Sequence, residues 1–213
     1  MTVRGSVALE GRPVGGQDVL AMPPGGGPAL AVARTDDTGA FALDVDGDVA
    51  LLAKVRTDAL GVAAGSAGAG DDAALVVEGP LASVSVRVES DVGFPDELDV
   101  FFTPEALAGV PAELMTFVTQ REPGVYETRF VKRSVTEREW TVRLQAGVWR
   151  LGAEYVNLDR AHLARPDFLN YVTASASADG EALPGDRVEG FRLEVGGDRV
   201  VTLRLRELAD SEL

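Results

Sequence analysis

The hexapeptide Asp44-Val45-Asp46-Gly47-Asp48-Val49 places three carboxylates at alternate positions. That is the spacing of the first three ligands in a helix-loop-helix calcium loop. The rest of such a loop is missing. Val49 stands where its glycine is required and Val55 where its bidentate glutamate is required, and no amphipathic helices flank the segment. A hairpin turn around Asp46-Gly47, with Asp44 and Asp48 on the strand ends, accounts for the same residues. The chain has no cysteine and one histidine, His162, so thiolate ligands, disulfides and a cysteine nucleophile are excluded. His162 has no recognisable base-orienting partner, and no serine lies in a G-x-S-x-G elbow. The glycine-rich run Gly65 to Asp72 lacks the lysine and the helix of a phosphate-binding loop. Acid neighbours such as Asp71 and Asp72, or Glu137 and Glu139, do not stand out among 34 acids, so no glycosidase pair is singled out. The expectation is a non-enzyme with no catalytic residue, no cofactor and no metal.

Charge narrows the partners. A formal net charge of -14 disfavours nucleic acid and anionic membrane surfaces, which need a basic face to displace counterions. No run approaches the roughly 20 apolar residues of a membrane span, and the N-terminus enters a strand-like pattern with no signal-peptide layout. A cytoplasmic location is therefore expected, without membrane insertion.

The elements that would position any site are short apolar bursts between turn-forming pieces. Alternating runs such as "ALAVA" (29–33), "FALDV" (41–45) and "VALLAKV" (49–55) read as strands, and "EGRPVGG", "PPGGGP" and "TDDTG" between them read as turns. The low-complexity stretch 61–73 reads as a flexible loop or crossover. Gly79-Pro80 punctuates the chain, giving a first domain over 1–80 and a second, larger one over 81–213. In the second, strands at 114–120, 125–134, 139–145 and 148–156 read as a meander of hairpins, and two further strands, 191–197 and 199–208, close the chain. Two insertions, 104–114 and 157–170, are the stretches that suggest short helical turns, the latter with Asp159 as N-cap and Pro166 as stop. The fold class expected is all-β, two β-sandwich domains of transthyretin-like or immunoglobulin-like build.

Spaced positions in the first domain agree in order with a known pattern. Gly5 and Val7, then Gly11, Pro13, Val14, Gly16 and Val19, then Thr35, Asp36, Gly39 and Phe41 resemble the G-x-V, G-x-P-V-x-G-A-x-V and T-D-x-x-G-x-F elements of the carboxypeptidase regulatory-like domains, a transthyretin-like β-sandwich family. Gln17 departs from that pattern, which has a small residue there. The resemblance covers about the first 80 residues, with a weaker echo in "QAGVWRLGAEYV", which looks like the G-x-Y-x-L strand of such domains, and in "GFRLEVGGDRVVTLRL", which looks like their closing hairpin. It implies a scaffold or interaction module with no catalytic residues to transfer. The hydroxyisourate hydrolases of the same fold depend on several histidines, and one is present here.

Two binding classes follow. The first is a protein partner within a larger assembly, contacted through the insertions, with Leu107, Val110, Leu114, Leu163 and Phe168 as apolar anchors. The competing reading of those insertions is that they cover a sheet edge. The alternative function is a carbohydrate or small-ligand binder using the aromatic strands around Trp140 and Trp149, whose i, i+2 spacing is otherwise that of a packed sheet face.

Overall fold

The computed structural model describes residues 1–91, 93–94, 98–118, 130–132, 137–155 and 171–208. The first strands are β1 (Thr2–Leu9), β2 (Arg12–Pro13), β3 (Asp18–Met22), β4 (Ala31–Arg34), β5 (Ala40–Asp44), β6 (Val49–Arg56), β7 (Ala59–Ala67) and β8 (Asp72–Val76). β9 (Leu81–Ser90), β10 (Asp99–Leu107), helix α1 (Ala112–Val118), β11 (Phe130–Lys132), β12 (Glu139–Gln145) and β13 (Gly147–Tyr155) follow. The chain closes with β14 (Tyr171–Ala178), β15 (Glu181–Ala182), β16 (Gly185–Asp186), β17 (Gly190–Val195) and β18 (Arg199–Glu207). The protein is all-β in class, built as β-sandwiches. It divides into two compact units: Met1–Leu81 with Pro104–Arg129 and Arg143–Gly147, and Ala82–Thr103 with Phe130–Val142 and Val148–Leu213.

In the first unit β1 centres one sheet, antiparallel to β2 and β5 and parallel to β8. The other sheet runs β12, β7, β6, β3, β4. Alternation along each strand sends Val3, Val7, Phe41, Leu51, Val55 and Leu75 into the space between them, where they are removed from water. Gly5 is required by that packing. A Cβ there would lie 2.2 Å from the Ala73 carbonyl oxygen and 2.6 Å from Phe41 Cζ, so the motif glycine and the motif phenylalanine answer to each other. The unbroken apolar run of β6 has a matching cause, since Leu51 and Val55 are buried on one face and Ala50 and Leu52 on the other.

The second unit places β18 between β14, antiparallel, and β9, parallel from Arg199↔Val84 to Leu205↔Ser90. β13 pairs with β10, β14 and β17. Val201, Leu203 and Leu205 are buried while Arg204 is exposed, as strict alternation requires. Trp149 and Phe130 pack with ring centroids 5.8 Å apart and planes tilted by 53°. The two units repeat one hairpin. Ala8↔Pro13 and Leu9↔Arg12 in the first correspond to Ser177↔Ala182 and Ala178↔Glu181 in the second. The turn pairs Glu10-Gly11 and Asp179-Gly180 all have positive φ, the two-residue turn whose twist matches its strands.

Several expectations are corrected. The stretch 61–73 is largely strand, because its small residues allow close approach: a Cβ on Gly61 would meet Val77 Cγ1 at 2.8 Å, and one on Gly65 would meet Leu75 Cδ2 at 2.8 Å. Residues 104–107 continue β10, and the helix begins at Ala112 and runs through Val118, taking in part of the expected strand at 114–120. Its start follows from Pro111, whose carbonyl accepts from the Leu114 and Met115 amides at 3.0 and 3.3 Å. The last hairpin of the expected meander does not form, since β12 lies beside β7 while β13 lies between β10 and β14; residues 119–129 and 133–136 of its earlier strands lie outside the described residues. β17 and β18 do not pair with each other either. Nor is Asp46-Gly47 a hairpin turn, because β5 pairs with β1 and β6 with β3 and β7; the segment crosses from one sheet to the other.

Candidate interaction surface

Asp36 and Asp186 hold turns, and Asp44 pairs with Thr2 across β1 and β5. Asp36 Oδ1 accepts from Thr38 Oγ1 at 2.7 Å, the Thr38 amide at 2.8 Å and the Ala40 amide at 3.0 Å. Those bonds, the Thr38 hydroxyl foremost, hold its carboxyl below the ordinary value of 3.8. Asp186 does the same for the Glu189 and Val188 amides and is lowered likewise. Asp44 accepts from the Thr2 hydroxyl at 2.6 Å. Among the described residues no three His, Cys, Asp or Glu side chains converge as a metal site.

The two buried glutamines are equally committed. Gln145 is fully buried; its Oε1 accepts from the Val62 amide at 2.8 Å and its Nε2 donates to the carbonyls of Ala108 at 2.8 Å and Glu78 at 3.0 Å. Gln17, the departure from the family pattern, donates to the Gly15 carbonyl at 2.6 Å and accepts from the Arg56 amide at 2.7 Å. Each glutamine satisfies backbone groups that would otherwise be buried without partners.

A groove of about 410 Å³ in the second unit is lined by Asp179, Glu181, Leu183, Arg192, Glu194 and Arg199 among others. Its cations are matched internally, Arg199 to Asp179 at 3.0 Å and Arg192 to Glu194 at 2.8 Å. The tryptophans of the expected platform face inward, for Trp149 is fully buried and Trp140 is buried, as are Phe130 and Tyr171. Of the proposed anchors, Leu107 and Leu114 are buried and Val110 is half-buried. Leu163 and Phe168, with His162, lie outside the described residues.

The surface feature that sequence reasoning passed over is β4. It ends its sheet, with β3 on one side and no strand among the described residues on the other. Its bulky residues face outward: Leu30 is 62% and Val32 40% exposed, while Ala31 and Ala33 pack against the core. The bond from the Thr35 amide to the Gln17 carbonyl, 2.9 Å, and the register Val19↔Ala33 and Ala21↔Ala31 set the phase of the ladder. Residues 31, 33 and 35 bond toward β3. Antiparallel alternation then turns the N–H and C=O of Val32 and Arg34, and the C=O of Leu30, to the open edge. The Leu30 amide itself donates to the Ala21 carbonyl at 2.7 Å. The sequence signal was there in outline: bulky residues at 30 and 32 alternate with alanines at 29, 31 and 33, but both sets are apolar, so hydropathy did not tell inward from outward.

No family model matches this chain, and no curated protein matches it. Solved structures that align with it include the minor pilin of Streptococcus agalactiae, at 11% identity over 98% of this chain and 96% of that one with a TM-score of 0.36. Another is the shaft pilin of Lactobacillus rhamnosus GG, at 8% identity over 98% and 99% with a TM-score of 0.32. Similarity at that level says nothing of what this chain does.

Proposed function

We propose that the protein is a non-enzymatic interaction module, a structural component of a larger assembly, and that it docks by accepting a strand at β4. The observation behind this reading is the open edge, where unpaired main-chain groups and the exposed side chains of Leu30 and Val32 coincide on one short strand. An added strand gains main-chain hydrogen bonds from such an edge and side-chain contacts from its outward residues. Natural sheets guard edges with charge, proline or bulges. β8, an outer strand of the other sheet, carries Asp72 within it, whereas the charge on β4 is Arg34 at its end. The first unit is further proposed to be a carboxypeptidase regulatory-like module, a reading supported by the contact of Gly5 with Phe41 and by the Asp36 turn at the motif positions.

The test is crosslinking capture from the native cell followed by mapping of the crosslinked segment. Wild type is expected to link through 28–36, and Val32→Lys to lose the partner while keeping its melting temperature. Undiminished capture by Val32→Lys, with links mapping to 104–114 or 157–170, would move the contact to the insertions and overturn the β4 assignment.

A further inference from the structure

Resting on the reading of β4 as a docking edge, we infer that its occupant is a second copy of this chain, with two β4 strands antiparallel about a two-fold axis at Val32. The main-chain groups select this arrangement. The outward N–H groups belong to Val32 and Arg34 and the outward C=O groups to Leu30, Val32 and Arg34, as the ladder phase dictates. With Val32 opposite Val32, each Val32 amide donates to the other copy's Val32 carbonyl and each Arg34 amide to the other copy's Leu30 carbonyl. Both outward N–H groups of each copy are thereby satisfied. A two-fold interface is self-complementary in this sense.

Side chains and charge agree with it. The exposed valines meet directly across the axis, and each Leu30 lies opposite the aliphatic stem of Arg34. The large apolar residues exposed among the described ones are Met1, Leu30, Val32, Val76, Val188 and Val200, and this pairing covers two of them per copy. A chain of net charge -14 repels its own copies, so self-association needs a surface where carboxylates do not face one another. Residues 28–34 contain no acid and end in Arg34. In the antiparallel register Asp36 falls opposite Pro28 and Asp37 opposite Gly27 of the other copy, so the acidic turn meets an uncharged one. Parallel pairing would set Asp36 against Asp36.

The absence of cysteine makes the register directly testable, because opposed strand residues lie within disulfide range, roughly 4.4–6.8 Å between Cα atoms. Val32→Cys is expected to form a disulfide-linked dimer under mild oxidation at least about tenfold faster than Val188→Cys, a control at an exposed valine. A mixture of Leu30→Cys and Arg34→Cys chains is expected to cross-link to each other in preference to themselves. Sedimentation velocity of the unmodified chain should show a concentration-dependent dimer that Val32→Lys removes. Val32→Cys linking no faster than the control, with the unmodified chain monomeric throughout, would overturn the second copy as occupant. In that event loss of a cellular partner by Val32→Lys would still leave β4 as the edge for a foreign strand, whereas an unchanged capture would end both readings.

Discussion

Single residues in the first unit have well-defined tasks. Phe41 is 6% exposed and seats against Gly5. Its replacement by alanine should cost about 3–5 kcal/mol, read from the urea midpoint, through lost burial and the cavity left behind. Gln145→Leu keeps the volume but strands the Val62 amide and two carbonyls. A loss of about 2 kcal/mol or more is expected by the same measurement, since buried polar groups without partners cost about 1–3 kcal/mol each. Asp36, Asp179 and Asp186 all sit below their ordinary value of 3.8 in the folded state. Their contribution is complete above that value and is lost as pH falls through their lower folded values. Joint substitution of the three by asparagine should therefore lower stability in the neutral range and flatten its decline below about pH 4, which pH-dependent urea titration reads out. Phe41 and the Asp36 turn were legible because a lone aromatic and an Asp-Thr-Gly turn have local signatures. Gln145 was not, because its partners at Val62, Glu78 and Ala108 are far away in sequence.

At the scale of elements, strand identity was read well where one face is wet, as in β18, and less well where composition hides packing. The glycines and alanines of β7 look like a linker but are a strand whose lack of side chains admits Val77 and Leu75. Gly61→Val and Gly65→Val should each lower stability by about 1–3 kcal/mol through overpacking, whereas a linker would tolerate both in a thermal melt. Strand pairing was the least legible feature. Alternation fixes which side chains share a face but not which strand lies alongside, so β12 and β13, and β17 and β18, read as hairpins although neither pair is adjacent. β4 shows the complementary difficulty: its existence was plain, but its outward leucine and valine depend on its place at the end of the sheet.

For the whole molecule, the proposed role rests on one positive feature, the β4 edge. Asp36 and Asp186 close turns, the buried glutamines satisfy backbone, the groove's arginines are paired with acids, and Trp140 and Trp149 are packed inside. At the β4 edge exposed leucine and valine side chains coincide with main-chain groups that have no partner among the described residues. The repeated hairpin at Glu10-Gly11 and Asp179-Gly180 shows one construction used in both units, while the β4 edge belongs to the first. Hydrogen exchange across a dilution series tests the β4 account most directly. Peptides covering 28–36 should exchange rapidly when the chain is dilute and become protected when it associates, with the Val32 and Arg34 amides the most affected. Exchange over 28–36 that does not change on association, alongside new protection at another segment, would contradict it.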